Sequence, residues 1–354
     1  MPGEWKRILN DSMPLRDQTM KLFVIIVTLA LAFAPARAAE PVRLIFDTDI
    51  GNDVDDVLAL GMIHTLQTRG TCDLIAVTVT KDHELAGPMV DVVNYFYGRR
   101  GIPIGVVRGG ATRDEGKFLG MTREKDGDRL RYPHDLKRSI DAPDAVTVLR
   151  KVLADQPDGS VVIAQVGFAT NLARLLESPA DTVSPLTGKE LAAKKVKFVS
   201  AMFGAYKVGG QNAHREYNVT EDLPAAKKFV ADWPTPIVFS GFEVGQTVTY
   251  PSVSIEKDFS YAKHHPLAEA YRRYSPPPHD RPCWDLTSVL YAVHSDRGYF
   301  GLSETGRVTV GNTGLTEFAP AVGGAHRFLT VSKEQAIRCR EAFAFLASQP
   351  PAGK

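Results

Sequence analysis

The 354-residue chain carries 42 Lys and Arg against 41 Asp and Glu, a formal net charge of +1. That balance excludes both the basic footprint of a nucleic-acid binder and a polyacidic tail, and an apolar fraction of 44% suits a globular protein with a sizeable core. Cys72, Cys283 and Cys339, with no CxxC or Cys/His cluster, give neither a disulfide framework nor a structural zinc site.

From Met20 the chain reads MKLFVIIVTLALAFA, and Ala36-Arg37-Ala38 follows. One positive charge, an apolar run and an A-x-A site are the order of a secretory signal peptide. The run is short for a membrane span, and no stop-transfer pattern follows it. Residues 1–38 are therefore set apart as extension and leader. Export to the periplasm or medium is expected, without stable membrane insertion after cleavage, and one domain is expected over 39–350.

Beyond the leader, short β-branched apolar runs alternate with helical patterns. Strands are predicted at 42–46, 73–79, 103–107, 160–165, 196–201 and 236–240. Apolar over most of their length, they read as strands buried on both faces. Helices are predicted at 55–68, 86–98, 143–154, 170–177 and 222–231. The C-terminal third reads as helical, at 262–272, 284–294 and 333–347. The charged stretch 108–141 reads as a long surface loop. This alternation predicts an α/β fold, a mostly parallel open sheet flanked by helices with a helical C-terminal part. Ligands of such sheets bind beyond the carboxyl ends of the strands. Three loops lie there: Asp47–Asp56, Gly167–Asn171 and Met202–Asn218.

The first loop is the most informative. FDTDIGNDVDD, Phe46 to Asp56, places Asp47, Asp49, Asp53, Asp55 and Asp56 just after a buried strand. Helix capping accounts for Asp55 and Asp56 but not for all five. All-oxygen ligands without Cys or His point to a hard divalent cation. An EF-hand is excluded, because its sixth and twelfth positions from Asp47 hold Asn52 and Leu58. The Asp47-Thr48-Asp49 pair also fits the first motif of a haloacid-dehalogenase-like phosphatase, which stays open on these residues alone.

The stretch DTDIGNDVDDVLAL resembles the N-terminal signature of the inosine–uridine preferring nucleoside hydrolase family. It has two residues more than the best-known members between Gly51 and the final Asp-Asp. Val166-Gly167-Phe168-Ala169-Thr170-Asn171-Leu172-Ala173 resembles the family's G-x-x-T-N-[IL]-A loop. Met202, Asn212 and Glu216-Tyr217-Asn218 resemble its M-x-G…N…E-x-N segment, and Asp285 its late metal-binding aspartate. Together these cover about 47–295.

The resemblance implies Ca²⁺-dependent hydrolysis of the N-glycosidic bond of a nucleoside or related riboside. Asp49, Asp56, Asp285 and the Val166 carbonyl would ligate Ca²⁺. Asp49 would be the general base toward a cation-activated water. Asp55, Asn212, Glu216 and Asn218 would hold the ribose hydroxyls. A carboxylate-rich pocket suits the oxocarbenium-like transition state of such a cleavage. Asp47 is expected to support the loop, and Asp53 has no assigned role. Trp284 stands where purine-cleaving members often carry a His as leaving-group acid; indole is a donor only, and it can stack on a base. His279, Arg281 and His214 are candidates for leaving-group activation. Asp82, in Thr80-Lys81-Asp82-His83, takes the place of the family's first ribose-facing asparagine. Members are commonly dimers or tetramers, so a homo-oligomer is an expectation of the resemblance, although no interface signature is legible. A non-catalytic nucleoside- or sugar-binding protein that keeps the metal pocket is the alternative from another class.

Overall fold

The computed structural model describes residues 40–206 and 214–353. Seven strands run parallel: β1 Val42–Thr48, β2 Cys72–Lys81, β3 Ile104–Ala111, β4 Val161–Gln165, β5 Val196–Met202, β6 Ile237–Ser240 and β9 His326–Thr330. Two more, β7 Gly306–Val310 and β8 Thr316–Pro320, join antiparallel at one edge. A two-residue strand, Gly301–Leu302, pairs with β9 and completes a ten-stranded sheet in the order β8-β7-β9-β6-β5-β4-β1-β2-β3. The order reverses between β1 and β4. Their carboxyl ends therefore part around the crevice where α/β sheets take their ligands.

The sheet separates two cores. Along β1, Leu44 and Phe46 belong to one and Ile45 to the other, as alternating side chains require. The Leu44 side holds the helix Asp55–Thr68, buried from Asp55 to Leu66, with Asp285–His294 and Lys333–Ala347 packed on it. The Ile45 side holds the helices Ala145–Ala154, Thr170–Glu177 and Leu223–Asp232. The same alternation sends Asp47 to the Ile45 side and Thr48 toward the helix Asp55–Thr68. Among the described residues no helix is long and apolar enough to cross a membrane.

The six predicted strands and all eight predicted helices are present; the helices 55–68, 170–177 and 333–347 have the predicted ends, and the other elements shift at one end or both. The C-terminal third departs from expectation, because it also holds β7, β8 and β9. β7 reads GRVTV and buries only alternate residues, Gly306 and Val308. Such half-buried antiparallel strands lack the continuous apolar run that marks a central strand. The helix Gly188–Lys195 was also missed, although Thr187 and Glu190 form a capping box at its start. The stretch 108–141 is more than a surface loop. Its first residues complete β3, and Phe118, Leu119 and Met121 are buried around a short 3₁₀ turn, Leu119–Arg123.

Candidate functional site

A cavity of about 500 Å³ opens beyond the ends of β1, β4 and β5. It is lined by the first loop (Asp49, Asn52, Asp53, Asp55 and Asp56), by Val166, and by Met202 with His214–Asn218. Phe242, Tyr274, Arg281, Trp284 and Asp285 line it from the C-terminal half. Of the three expected loops, the first and third reach the cavity. The second supports them from behind: a Cβ on Gly167 would come within 2.5 Å of the Asp49 amide, so only glycine lets the loops approach this closely.

The five aspartates of the first loop have five different surroundings. Asp47, turned away from the cavity, accepts bonds from Thr78 Oγ1 at 2.6 Å and Asn171 Nδ2 at 2.8 Å. Its carbonyl accepts the amides of Val166 at 2.7 Å and Gly167 at 3.2 Å, tying the first loop to the second. Asp49 accepts a bond from Asn52 Nδ2 at 2.7 Å. Asp53 accepts the Val54 amide at 2.6 Å and pairs with Arg281, whose Nε lies 3.1 Å away. Asp55 accepts the amides of Trp284 at 2.8 Å and Asp285 at 3.1 Å, clamping the late helix to the first loop. Asp56 accepts a bond from Thr48 Oγ1.

Asp55, Asp56 and Asp285 are buried and can present oxygens within 4.8 Å of one another. Burial raises the pKa of each, and neighbouring carboxylates raise it further: Asp53 acts on Asp55, Asp49 and Asp55 on Asp56, and Asp55 and Asp56 on Asp285. Asp49 is raised chiefly by burial, with the Asn52 bond and the Lys81 charge opposing. Three buried carboxylates so close are tolerable if protonated or if a cation sits among them, and their oxygens suit a hard divalent ion. Two of the expected ligands, Asp56 and Asp285, belong to this set. Asp55, anticipated at the ribose, stands in the cluster, while Asp49 borders the same cavity. Val166 also lines the cavity, and its carbonyl accepts a bond from Asn218 Nδ2 at 2.8 Å.

Glu216 caps the short helix Tyr217–Thr220. It accepts the amides of Asn218 at 2.8 Å, Val219 at 3.3 Å and Gly204 at 3.1 Å, and burial pushes its pKa up to about 7. Asn218 also bonds the Met202 carbonyl at 3.1 Å, so it joins the ends of β4 and β5. An aromatic wall faces these groups. The His214 ring stacks on Phe242 at 3.6 Å, and Phe242 lies against Trp284 at 5.7 Å. Trp284 donates its Nε1 proton to the Phe242 carbonyl at 2.9 Å, so the indole is held in place as part of the wall.

Two expected residues fall outside the site. Asp82 lies beyond the end of β2 and pairs with the exposed Arg113 at 3.1 Å, away from the cavity. His279 is exposed and does not line the cavity; its backbone carbonyl accepts a bond from Tyr271. Asn212 lies outside the described residues. Arg281, a leaving-group candidate, is engaged by Asp53 and packs over the rings of Tyr274 and Trp284, at 5.0 and 5.1 Å. The sequence reading missed Lys81, Asn52, Phe242 and Tyr274. Nothing in their local pattern distinguishes them from strand, loop and core residues.

The model of the inosine-uridine preferring nucleoside hydrolase family matches residues 44–335. The chain belongs to that family, a family of N-ribosyl hydrolases. Among solved structures, the plant nucleoside hydrolase PpNRh1 is similar at 23% identity and a TM-score of 0.64, over 88% of this chain and 100% of that one. A purine-preferring ribonucleoside hydrolase from Gardnerella vaginalis is similar at 18% identity and a TM-score of 0.63, over 86% and 99%. The type III effector protein XopQ, complexed with adenosine diphosphate ribose, is similar at 15% identity and a TM-score of 0.63, over 93% and 97%. These likenesses are likenesses of fold. No curated protein matches the chain. Family membership sets the phosphatase alternative aside.

Proposed function

We propose that the protein is a Ca²⁺-dependent hydrolase that releases the base from a nucleoside or related riboside. The observation that carries this reading is the buried triad Asp55, Asp56 and Asp285, opening with Asp49 into one cavity at the switch point of the sheet. The triad and Asp49 would hold the cation, with the Val166 carbonyl beside them. When bound, the cation supplies Lewis-acid activation of water and a fixed point for the ribose hydroxyls. Asp49 accepts the proton of the attacking water. Glu216 and Asn218, held rigidly by their backbone bonds, face the ribose. The crowd of carboxylates favours the positive charge that develops on the sugar as the glycosidic bond lengthens. The aromatic wall of His214, Phe242 and Trp284 faces the base, and His214 is the group there able to carry a proton to it.

The test is base release from a panel of purine and pyrimidine nucleosides, with Ca²⁺ and with chelator. Calcium-dependent release supports the reading. A protein that binds Ca²⁺ and nucleoside by calorimetry, yet cleaves no riboside, is the non-catalytic binder instead. We further propose export through the leader in residues 20–38; N-terminal sequencing of the mature protein should start near Ala39, and an intact apolar run would refute it.

A further inference from the structure

Lys81, the last residue of β2, is wholly buried behind the cavity wall. A buried ammonium is costly unless it is paired. The one carboxylate with which Lys81 forms an ion pair among the described residues is Asp114, at 3.4 Å, and that side chain is 70% exposed. The shortest bond of Lys81 Nζ goes to an amide, Asn52 Oδ1, at 2.5 Å. Asn52 in turn donates from Nδ2 to Asp49 Oδ2 at 2.7 Å.

The order of these bonds follows from donor chemistry. A lysine head group has donors and no acceptor, whereas an amide side chain has one end of each kind. Lys81 therefore accepts only one orientation of Asn52, oxygen toward itself. That leaves the NH₂ end for Asp49. Without the lysine, the Asn52 oxygen loses its anchor, and the amide is free to swing out of the position from which it bonds Asp49. Thr112 Oγ1, 3.3 Å from Asn52 Nδ2, cannot make this choice, because a hydroxyl serves either end.

We propose that Lys81 is a positioning residue: through Asn52 it fixes the orientation in which the Asp49 carboxylate meets the cation and the substrate. Its consequence for catalysis rests on the function proposed above for Asp49.

The experiment is a double-mutant cycle read by Ca²⁺ calorimetry on the wild type, Lys81→Met, Asp49→Asn and the double variant. Loss of an orienting partner behind a ligand typically costs about 10- to 100-fold in metal affinity. Lys81→Met should weaken Ca²⁺ binding by that factor beside Asp49, and by less than about twofold in the Asp49→Asn background. The direction of the change is decisive. Removing a positive charge near a cation site strengthens binding if the lysine acts only through its field. Tighter Ca²⁺ binding in Lys81→Met, or equal weakening in both backgrounds, overturns the proposal. Should Lys81→Met fail to fold, Lys81→Met with Asn52→Ala removes both halves of the strut without leaving an unpaired amide, and the same weakening is expected. Riboside turnover, measured alongside, separates the two readings. A wild type that binds Ca²⁺ but cleaves no riboside contradicts the function, while the cycle still judges Lys81. In an active wild type, Lys81→Met should lower kcat by about 10- to 100-fold and move KM much less.

Discussion

Replacing Asp47 by asparagine should make the metal-free protein more stable in alkaline solution. Asp47 is wholly buried, and burial pushes its pKa from 3.8 up to about 7 against the opposing bonds from Thr78 and Asn171. Those bonds occupy Oδ1, while Oδ2 is buried without a partner, as are Gln165 Oε1 and Asn171 Oδ1. Gln165 is the register neighbour of Asp47 on β4, so Asp47→Asn sets a new NH₂ group in a region short of donors. The sign follows from proton binding. With a folded pKa above the unfolded one, the folded state holds the extra proton, and the stability this contributes is present below 3.8 and lost as pH rises through about 7. One pKa unit is worth about 1.4 kcal/mol, so the wild type should lose about 2 kcal/mol from this group between about pH 5.5 and about pH 8.5. Asparagine does not titrate. Urea unfolding with chelator at both pH values, wild type against variant, cancels the titration of the carboxylates that do not interact with Asp47. The difference should shift by about 2 kcal/mol in favour of the variant at the higher pH. A difference that does not change with pH, or that shifts toward the wild type, refutes the account of Asp47 as a buried acid.

Calcium at about 100 times its Kd should stabilise the protein by about 2.7 kcal/mol, which for a chain of this size raises the melting temperature by roughly 4 °C. An unchanged melting curve on adding Ca²⁺ to the chelated protein would contradict the cation site. Asp285→Asn should abolish that rise and base release together, yet melt above the wild type when both are metal-free, since it removes one of three crowded buried charges; a retained Ca²⁺ shift speaks against the triad. Trp284→Ala should raise KM by about 10- to 100-fold with a smaller change in kcat, because stacking on a base is worth about 1–3 kcal/mol. Trp284→Phe should recover most of this, and equal KM for all three proteins would mean that the wall does not meet the base.

The sequence was most legible where one physical demand acts on consecutive residues. The central strands needed continuous apolar runs, and all six stood out. Five aspartates after a strand admitted few explanations, and Asp49, Asp56 and Asp285 all line the cavity. It was least legible where pairing across the fold decides the outcome. Asp82 was expected at the ribose because of its place after β2, but the strand extends to Lys81 and leaves Asp82 beside Arg113. Asp55 adjoins Asp56 in sequence, and only the approach of Asp285 makes the two a cluster. β7 and β8 alternate polar and apolar residues too briefly to announce themselves.

The longer first loop acquires a physical reason from the same contacts. Its residues Asn52 and Asp53 each engage a cation brought by a distant element, Lys81 from β2 and Arg281 from the segment before the late helix. A loop that gathers carboxylates tends to spring open by mutual repulsion, more strongly in a low-dielectric pocket. Here it is pinned from two sides by groups that also offset part of that charge. The two pins differ in strength of commitment. Lys81 is wholly buried and gives its shortest bond to Asn52, whereas Arg281 and Asp53 keep 21% and 24% of their side chains exposed, and Arg281 packs over the rings of Tyr274 and Trp284. A pair that water still reaches contributes less to stability than a fully buried one. Arg281→Met should accordingly cost less than about 1 kcal/mol in urea unfolding while loosening the Trp284 side of the cavity, so that KM responds more than stability does. A variant that loses several kcal/mol with KM unchanged would show the pair to be a strut of the fold and not a wall of the site.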